Sequence, residues 1–415
     1  MLSFPDGLRL PTARVPLTTA TFVSGVLPPV VCGFATAFLV LLSRTQPVRI
    51  VLWPITAILA FRAATSLDVS MGQPKYNFLN TQLQVSSRRT RINCYSVELI
   101  LQQTMFFIAA RTLEWTLQTK PFIRMARRSS KQNSVLDMFD LIFSVRGCGW
   151  DWSQGLYIPP ETHPTSSRLA FAASTLVSGL KHLFLCGAIH SAVQSFSPET
   201  FGSVDGGTIF DQSLPPHLRY LRSSIIATLC AFCIYSGLQT CYELTVIPCV
   251  LLLRQHPDQW PPSFDSPWRS TSLRDFWSRR WHQWLRRLFI FFGGRPLSLL
   301  FGRVGGVIGA FLVSGFFHHL ALSAIAPSSE MWRMVLPFGM MGVGMIIERA
   351  VAGNQTGGWM GWIWTMCWMV LWGNVMVDGW ARAGMFGGST ILDSTMPLRQ
   401  PIERLVRTFD EYLHA

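Results

Sequence analysis

Phe311-Leu312-Val313-Ser314-Gly315-Phe316-Phe317-His318-His319 stands inside a longer apolar run, Leu297–Ala324, whose only ionisable side chains are Arg303 and the two histidines. A helix rises about 1.5 Å per residue, so a run of this length spans the hydrocarbon core of a bilayer. An imidazole at that depth is unfavourable and faces either a cavity or a backbone carbonyl on a neighbouring helix. On residue type alone both readings of His318 stay open. His319 points about 100° away on the same helix, so the two cannot share one task, and His319 is read as structural or substrate-lining.

Working outward, seven more runs are long and apolar enough to cross: Thr21–Leu42, Val48–Ala64, Tyr95–Trp115, Leu169–Val193, Leu221–Leu253, Trp332–Val351 and Gly358–Trp380. The first is too long for a cleavable h-region and reads as a signal anchor. Leu221–Leu253 is overlong, which predicts tilt or a break. Leu288–Phe292 is too short to cross and reads as a re-entrant or interfacial piece. The fold class expected is an all-α polytopic membrane protein of about eight to nine transmembrane helices, with residues 1–415 forming one membrane-embedded domain. Composition agrees: 49% of the 415 residues are hydrophobic and only 14% charged, too apolar for an ordinary soluble domain. Many of the 16 tryptophans sit near the ends of apolar runs, where interfacial rings belong.

The formal charge of +13 is spread over short segments between apolar runs, which is the positive-inside pattern and not a nucleic-acid surface. Two loops carry most of it. Lys120–Arg168 holds Arg124, Arg127, Arg128, Lys131 and Arg146, and Arg254–Arg287 holds Arg269, Arg274, Arg279, Arg280 and Arg286. Two spans separate them, so both are expected in the cytosol, where they would attract an anionic co-substrate. Arg88, Arg89 and Arg91 run against this rule. Cys230-x-x-Cys233 lies in an apolar run without further ligands, so neither zinc nor redox chemistry is expected there. Gly302, Gly305, Gly306 and Gly309 give small-residue spacing for close helix contact, with no strand around them to make a dinucleotide loop. Pro257–Pro267 reads as a rigid approach to the second loop. The sequon at Asn354-Gln355-Thr356 is read as incidental.

Within the second loop, Ser272-Leu273-Arg274-Asp275-Phe276-Trp277-Ser278-Arg279-Arg280-Trp281-His282-Gln283 puts Trp277, Trp281 and Leu285 on one stripe at helical spacing, with arginines around them. From residue types alone this is an interfacial amphipathic helix.

The segment Leu273–Gln283 also resembles the signature of wax-synthase-like proteins of the membrane-bound O-acyltransferase superfamily. Ser314–His318 is similar to that family's second motif, a small-residue pair before an intramembrane histidine. Arg146-Gly147-Cys148-Gly149-Trp150-Asp151-Trp152 resembles a stretch of the fungal members, with Arg111 and Glu114-Trp115 in the right order upstream. The matches cover roughly residues 95 to 380. Ser278 stands where many relatives carry glycine, and His319 where plant relatives often carry an acid.

The resemblance implies a helical fold enclosing a tunnel and transfer of an acyl group from acyl-CoA to a lipophilic alcohol. His318 would be the base that takes the hydroxyl proton, and His282 would polarise the thioester or position the donor. Asp275, Trp277, Arg279, Arg280, Trp281, Ser314 and Phe317 would bind substrate, with the arginines on the CoA phosphates. No metal or resident cofactor is implied; acyl-CoA, with acetyl-CoA favoured over a fatty acyl donor, enters as co-substrate. The acceptor expected is a terpenoid or related secondary metabolite, and the location the endoplasmic reticulum membrane. Nothing in the sequence suggests an acyl-enzyme, so direct attack in a ternary complex is favoured.

Two other classes compete. A magnesium-dependent prenyltransferase or cyclase would use acidic pairs such as Asp137 and Asp140. A transporter would use Glu243, Lys181, His182 and Glu348. Cysteine labelling in sealed microsomes should find residues 120–168 and 254–287 on one side, and opposite sides would mean that an odd number of spans lies between them.

Overall fold

The computed structural model describes residues 15–68, 94–125, 134–153, 155–326, 328–353, 357–387 and 398–415. Arg88, Arg89, Arg91, Arg127, Arg128, Lys131 and the sequon at 354–356 lie outside the described residues. In chain order the first helices are α1 (Thr19–Thr21), α2 (Leu27–Val40), α3 (Gln46–Ser66), α4 (Cys94–Thr116), α5 (Ser134–Phe143), α6 (Arg168–Ser195) and α7 (Pro216–Leu251). There follow α8 (Leu273–Asp275), α9 (Arg286–Phe289), α10 (Arg295–Ile325), α11 (Trp332–Ala352), α12 (Gly358–Arg382) and α13 (Arg399–His414). The only strands among the described residues are a parallel pair of two residues each, Val15–Pro16 with Leu67–Asp68.

All eight expected spans fall on helices, and seven helical stretches among the described residues are long and apolar enough to cross a membrane. The eighth, α4, carries Glu98, Arg111 and Glu114. The protein is therefore an all-α, multi-pass integral membrane protein. The overlong run forms one unbroken helix, α7, with Pro248 only in its last turn. Leu288–Phe292 falls on α9 and the π turn Ile290–Gly294 that follows it.

The chain forms two compact units. In one, which holds α1–α5 and α9, α2, α3 and α4 pack on Val26, Ala60, Leu67 and Met105. Arg49, nearly fully buried on α3, donates to the carbonyls of Trp115 and Gln118 and so closes the C-terminus of α4. The Arg146–Trp152 stretch belongs here. Gly147 sits at φ +71°, and a side chain there would run into the Trp152 ring. Trp150 donates to Asp140 at 2.8 Å. Trp152 lies between two guanidinium groups, Arg111 at 4.7 Å and Arg287 at 4.4 Å, and both arginines pair with Glu114. The sequence elements Arg111, Glu114 and Trp152 are thus one cluster, with Arg111 and Glu114 buried and Trp152 half-buried.

The other unit holds α6–α8 and α10–α13. Helices α6 and α7 run antiparallel, since Cys186 meets Cys233 while Phe196 O accepts from Arg222. Asp378 on α12, almost fully buried, is held by Arg333, Arg382, Thr208 and the Ile209 amide. Arg222 clamps α13 through Asp410 at 2.6 Å.

Helix α10 bends at Phe301 and Gly302, where Gly302 takes φ +60°. The expected glycine contacts differ in their place. Gly309 meets the backbone of Gly293, whereas the close approach to α11 is made at Gly315 and Gly342. A Cβ on Gly315 would stand 2.8 Å from Val335 Cα and 3.0 Å from Met334 O, so the two helices can lie at this separation only with glycine there. Gly315→Ala should lower stability by about 1–3 kcal/mol through overpacking, measured as thermal unfolding in detergent. Gly373→Ala, with open space around it, should not.

Candidate active site

Every residue expected to act on substrate lies in the second unit. Ser272 caps α8 by accepting from the Asp275 amide at 2.9 Å. The chain then makes one π turn, Phe276–Arg280, and leaves the helix at Trp281, which is extended. The expected amphipathic helix is therefore corrected: Trp277 and Trp281 remain neighbours at 6.2 Å, but Leu285 is beyond the helix end. The reason is that the terminal backbone groups find partners elsewhere. Glu348 on α11 accepts from the amide of Leu273 at 2.7 Å and that of Arg274 at 3.4 Å. At the other end Gln283 donates to Ser278 O, and the Asp265 amide donates to Arg280 O at 2.9 Å.

His318 donates from Nδ1 to the carbonyl of Ser314, four residues earlier, at 2.7 Å. A carbonyl can only accept, so Nδ1 carries hydrogen and Nε2 of the neutral ring keeps its lone pair. The imidazole stacks on Phe338 of α11, ring centres 4.4 Å apart and planes 29° apart. Phe317 meets it edge-on at 5.8 Å, and Ser314 is buried. The ring is thus bonded to a carbonyl, but to one on its own helix and not on a neighbouring one. His319 has a buried Nδ1 with no hydrogen-bond partner among the described residues.

Phe338 joins the two motifs, since Trp277 packs against it at 6.2 Å and against Phe311 of α10 at 5.5 Å. Trp281 stacks on Phe276 at 5.4 Å, and His282 lies beside Trp281 at 5.5 Å and Phe264 at 5.6 Å. A chain of rings thus leads from His318 through Phe338, Trp277 and Trp281 to His282. Sequence reasoning missed Phe338 and Phe264, because nothing in an apolar run marks which aromatic ring touches an imidazole.

The two arginines differ. Arg280 is engaged, bonding Asp275 at 2.5 Å and the Asp265 carbonyl at 3.0 Å. Burial works against its charge, but Asp275 and Asp265 offset this and raise its pKa above the usual guanidinium value. Tyr157 donates to Asp265 at 2.6 Å, which with burial lifts its phenol above the ordinary range. Arg279 is exposed, and the Tyr157 ring lies beneath it at 5.7 Å.

The acidic residues of the competing classes are occupied as well. Asp137 and Asp140 both pair with Arg124, at 3.3 and 3.2 Å, which leaves them poorly suited to magnesium diphosphate. Glu348 is the cap just described.

The family described as "Membrane bound O-acyl transferase family" matches residues 260–340, which contain the π turn, His282, His318 and Phe338. An acetyltransferase of Rhodocybe pseudopiperita is 25% identical over 338 residues, covering 74% of this chain and 84% of its own. An acetyltransferase of Emericella nidulans is 26% identical over 64% of this chain and 66% of its own. A protein of Arabidopsis thaliana, named a probable long-chain-alcohol O-fatty-acyltransferase, is 31% identical over 32% of this chain and 40% of its own.

Over residues 260–340 the chain is similar to the membrane-bound O-acyltransferase family. It is an acyltransferase, and the resemblance carried by Leu273–Gln283 and Ser314–His318 holds. In this acyltransferase the Glu348 carboxylate fixes where the matched segment meets α11. Glu348→Ala, which strands two amides, should cost about 2–4 kcal/mol, read by chemical unfolding. Glu348→Gln keeps one acceptor and should lose about half as much.

Proposed function

We propose that this acyltransferase moves an acetyl group from acetyl-CoA to a hydroxyl of a lipophilic terpenoid or similar secondary metabolite, in the endoplasmic reticulum membrane. The observation that carries the reading is the hydrogen bond from His318 Nδ1 to Ser314 O, because it leaves Nε2 as the basic nitrogen. In this reading Nε2 takes the proton of the acceptor hydroxyl as its oxygen attacks the thioester carbonyl. The new C–O bond forms, the C–S bond breaks, and the thiolate of CoA leaves with the proton returned by the imidazolium. The reaction consumes and restores the same proton and needs no covalent intermediate.

His282 would contact the thioester or position the donor, one end of the ring chain away from the base. Arg279, exposed and without a carboxylate partner among the described residues, is the better phosphate ligand. Arg280, held by Asp275 and Asp265, shapes the turn that presents it. Trp277, Trp281, Ser314 and Phe317 would line the acceptor's path, where aromatic surface suits a rigid polycyclic body. The names of the two fungal acetyltransferases support acetyl as the group transferred; the Arabidopsis relative's name favours a fatty acyl donor as second reading.

Microsomes containing the protein should form an acetyl ester when offered acetyl-CoA and palmitoyl-CoA with a hydroxylated terpenoid and a fatty alcohol, identified by mass spectrometry. A palmitoyl ester of the fatty alcohol as main product would replace this reading. His318→Ala should reduce ester formation on the order of 10²-fold or more, with His319→Ala retaining substantial activity. Equal rates for wild type and His318→Ala would remove the base assignment.

A further inference from the structure

A cavity of about 250 Å³ lies in the second unit, between the α6/α7 pair and the loop segments near 159–163 and 260–266. The mechanism above does not use it. Phe171, Tyr235, Tyr242, Trp260 and Phe264 form its aromatic walls.

Its polar groups are unusual in what they leave over. Glu243 on α7, nearly fully buried, accepts from Ser178 at 2.8 Å, from Gln239 Nε2 at 2.9 Å and from His182 Nδ1 at 3.0 Å. Because the carboxylate accepts at Nδ1, Nε2 of the neutral His182 ring is itself an acceptor. Gln239 is 9% exposed, and its Oε1 is buried without a donor from any described residue. Glu161 shows the same: Oε1 takes the amides of Thr162 and His163, both at 2.8 Å, while Oε2 is buried and unpartnered among the described residues. Three acceptors thus line one apolar-walled space, and the two buried ones, Gln239 Oε1 and Glu161 Oε2, each cost free energy unless a donor reaches them.

The missing partner is a donor. Glu161, Glu243 and Asp265 on the lining disfavour a phosphate or carboxylate. Both Glu161 and Glu243 already have neutral donors, so a hydroxyl supplies a further donor without adding a buried charge. The volume is below the usual range for a drug-sized ligand and far too small for a coenzyme A, so it takes a compact ring system. Phe264 is also the ring against Trp281 at 5.0 Å and His282 at 5.6 Å, which makes it a shared wall between the cavity and the π-turn segment.

We propose that this cavity is a recognition site for a hydroxyl-bearing polycyclic apolar molecule, whose hydroxyl donates its one proton to Gln239 Oε1. The proposal rests on the reading of the reaction as acylation of a lipophilic alcohol, and gives that acceptor a binding place outside the His318 site.

The test uses the full chain in lipid nanodiscs without acyl donor, and a photoreactive diazirine derivative of borneol, a bicyclic alcohol. Labelled peptides, mapped by mass spectrometry, should come from residues 159–182 and 235–266. Borneol should compete at least tenfold better than bornane, its analogue without the hydroxyl. Gln239→Met should weaken labelling about tenfold, the usual scale for one hydrogen bond to a buried group. If Gln239→Met does not fold, the comparison of borneol with bornane decides. Labelling elsewhere, equal competition by bornane, or undiminished labelling of a folded variant would overturn the site and leave the cavity to water. Since no donor is present, labelling here without ester formation in the microsomal assay would refute the acyl-transfer reading and not the site. Ester formation with no label here would overturn the site alone.

Discussion

The two hydrogen bonds from the amides of Leu273 and Arg274 to Glu348 are the constraint on which the geometry of the candidate site depends. A carboxylate buried on a membrane-spanning helix is costly, by several kcal/mol, unless its charge is met by donors. A short helix N-terminus offers such donors as unpaired amides with favourable dipoles. Each satisfies what the other lacks, and together they pin a polar loop to α11. One turn on, Trp277 reaches the rings of Phe311 and Phe338, so the loop seats against both helices of the α10/α11 pair.

That pair sets the position of His318. Gly315 lets α10 approach α11, and the approach brings Phe338 flat against the imidazole. The Ser314 carbonyl then fixes which nitrogen keeps its proton. Packing thus restricts the ring's orientation, while one hydrogen bond decides its tautomer, and neither needs a second acid beside the histidine. The same division appears in the loop, where Arg280 is spent on Asp275 and Asp265 to build the turn and Arg279 is left facing outward.

Ionisable groups at membrane depth also separate by what surrounds them. Asp378 and Glu348 have their charge fully met by arginines or amides, and they hold helices and loops in place. His182 with Glu243 shows a different pattern, with donors gathered on the carboxylate and acceptors left open on a cavity. Residue type alone made Glu243, His182 and Glu348 equivalent candidates for a transport path. Only their partners divide them into a cap and a pocket.

The sequence by itself determined the membrane-spanning helices, because bilayer thickness acts on each apolar run separately. It carried the resemblance to the acyltransferases, because Leu273–Gln283 and Ser314–His318 hold residue types that survive in linear order. It also singled out His318 as a candidate, since an imidazole in an apolar run stands out locally. The tertiary structure decided what depends on partners distant in the chain. Glu348 lies some 75 residues from the amides that it caps, so the end of the helix at Arg280 could not be read from the periodicity of Trp277, Trp281 and Leu285. Phe338 and Phe264 are ordinary apolar residues until helix packing sets them against His318 and His282. Periodicity records the preference of a segment for its own local partners, and the choice between those and distant ones is made only when the helices pack.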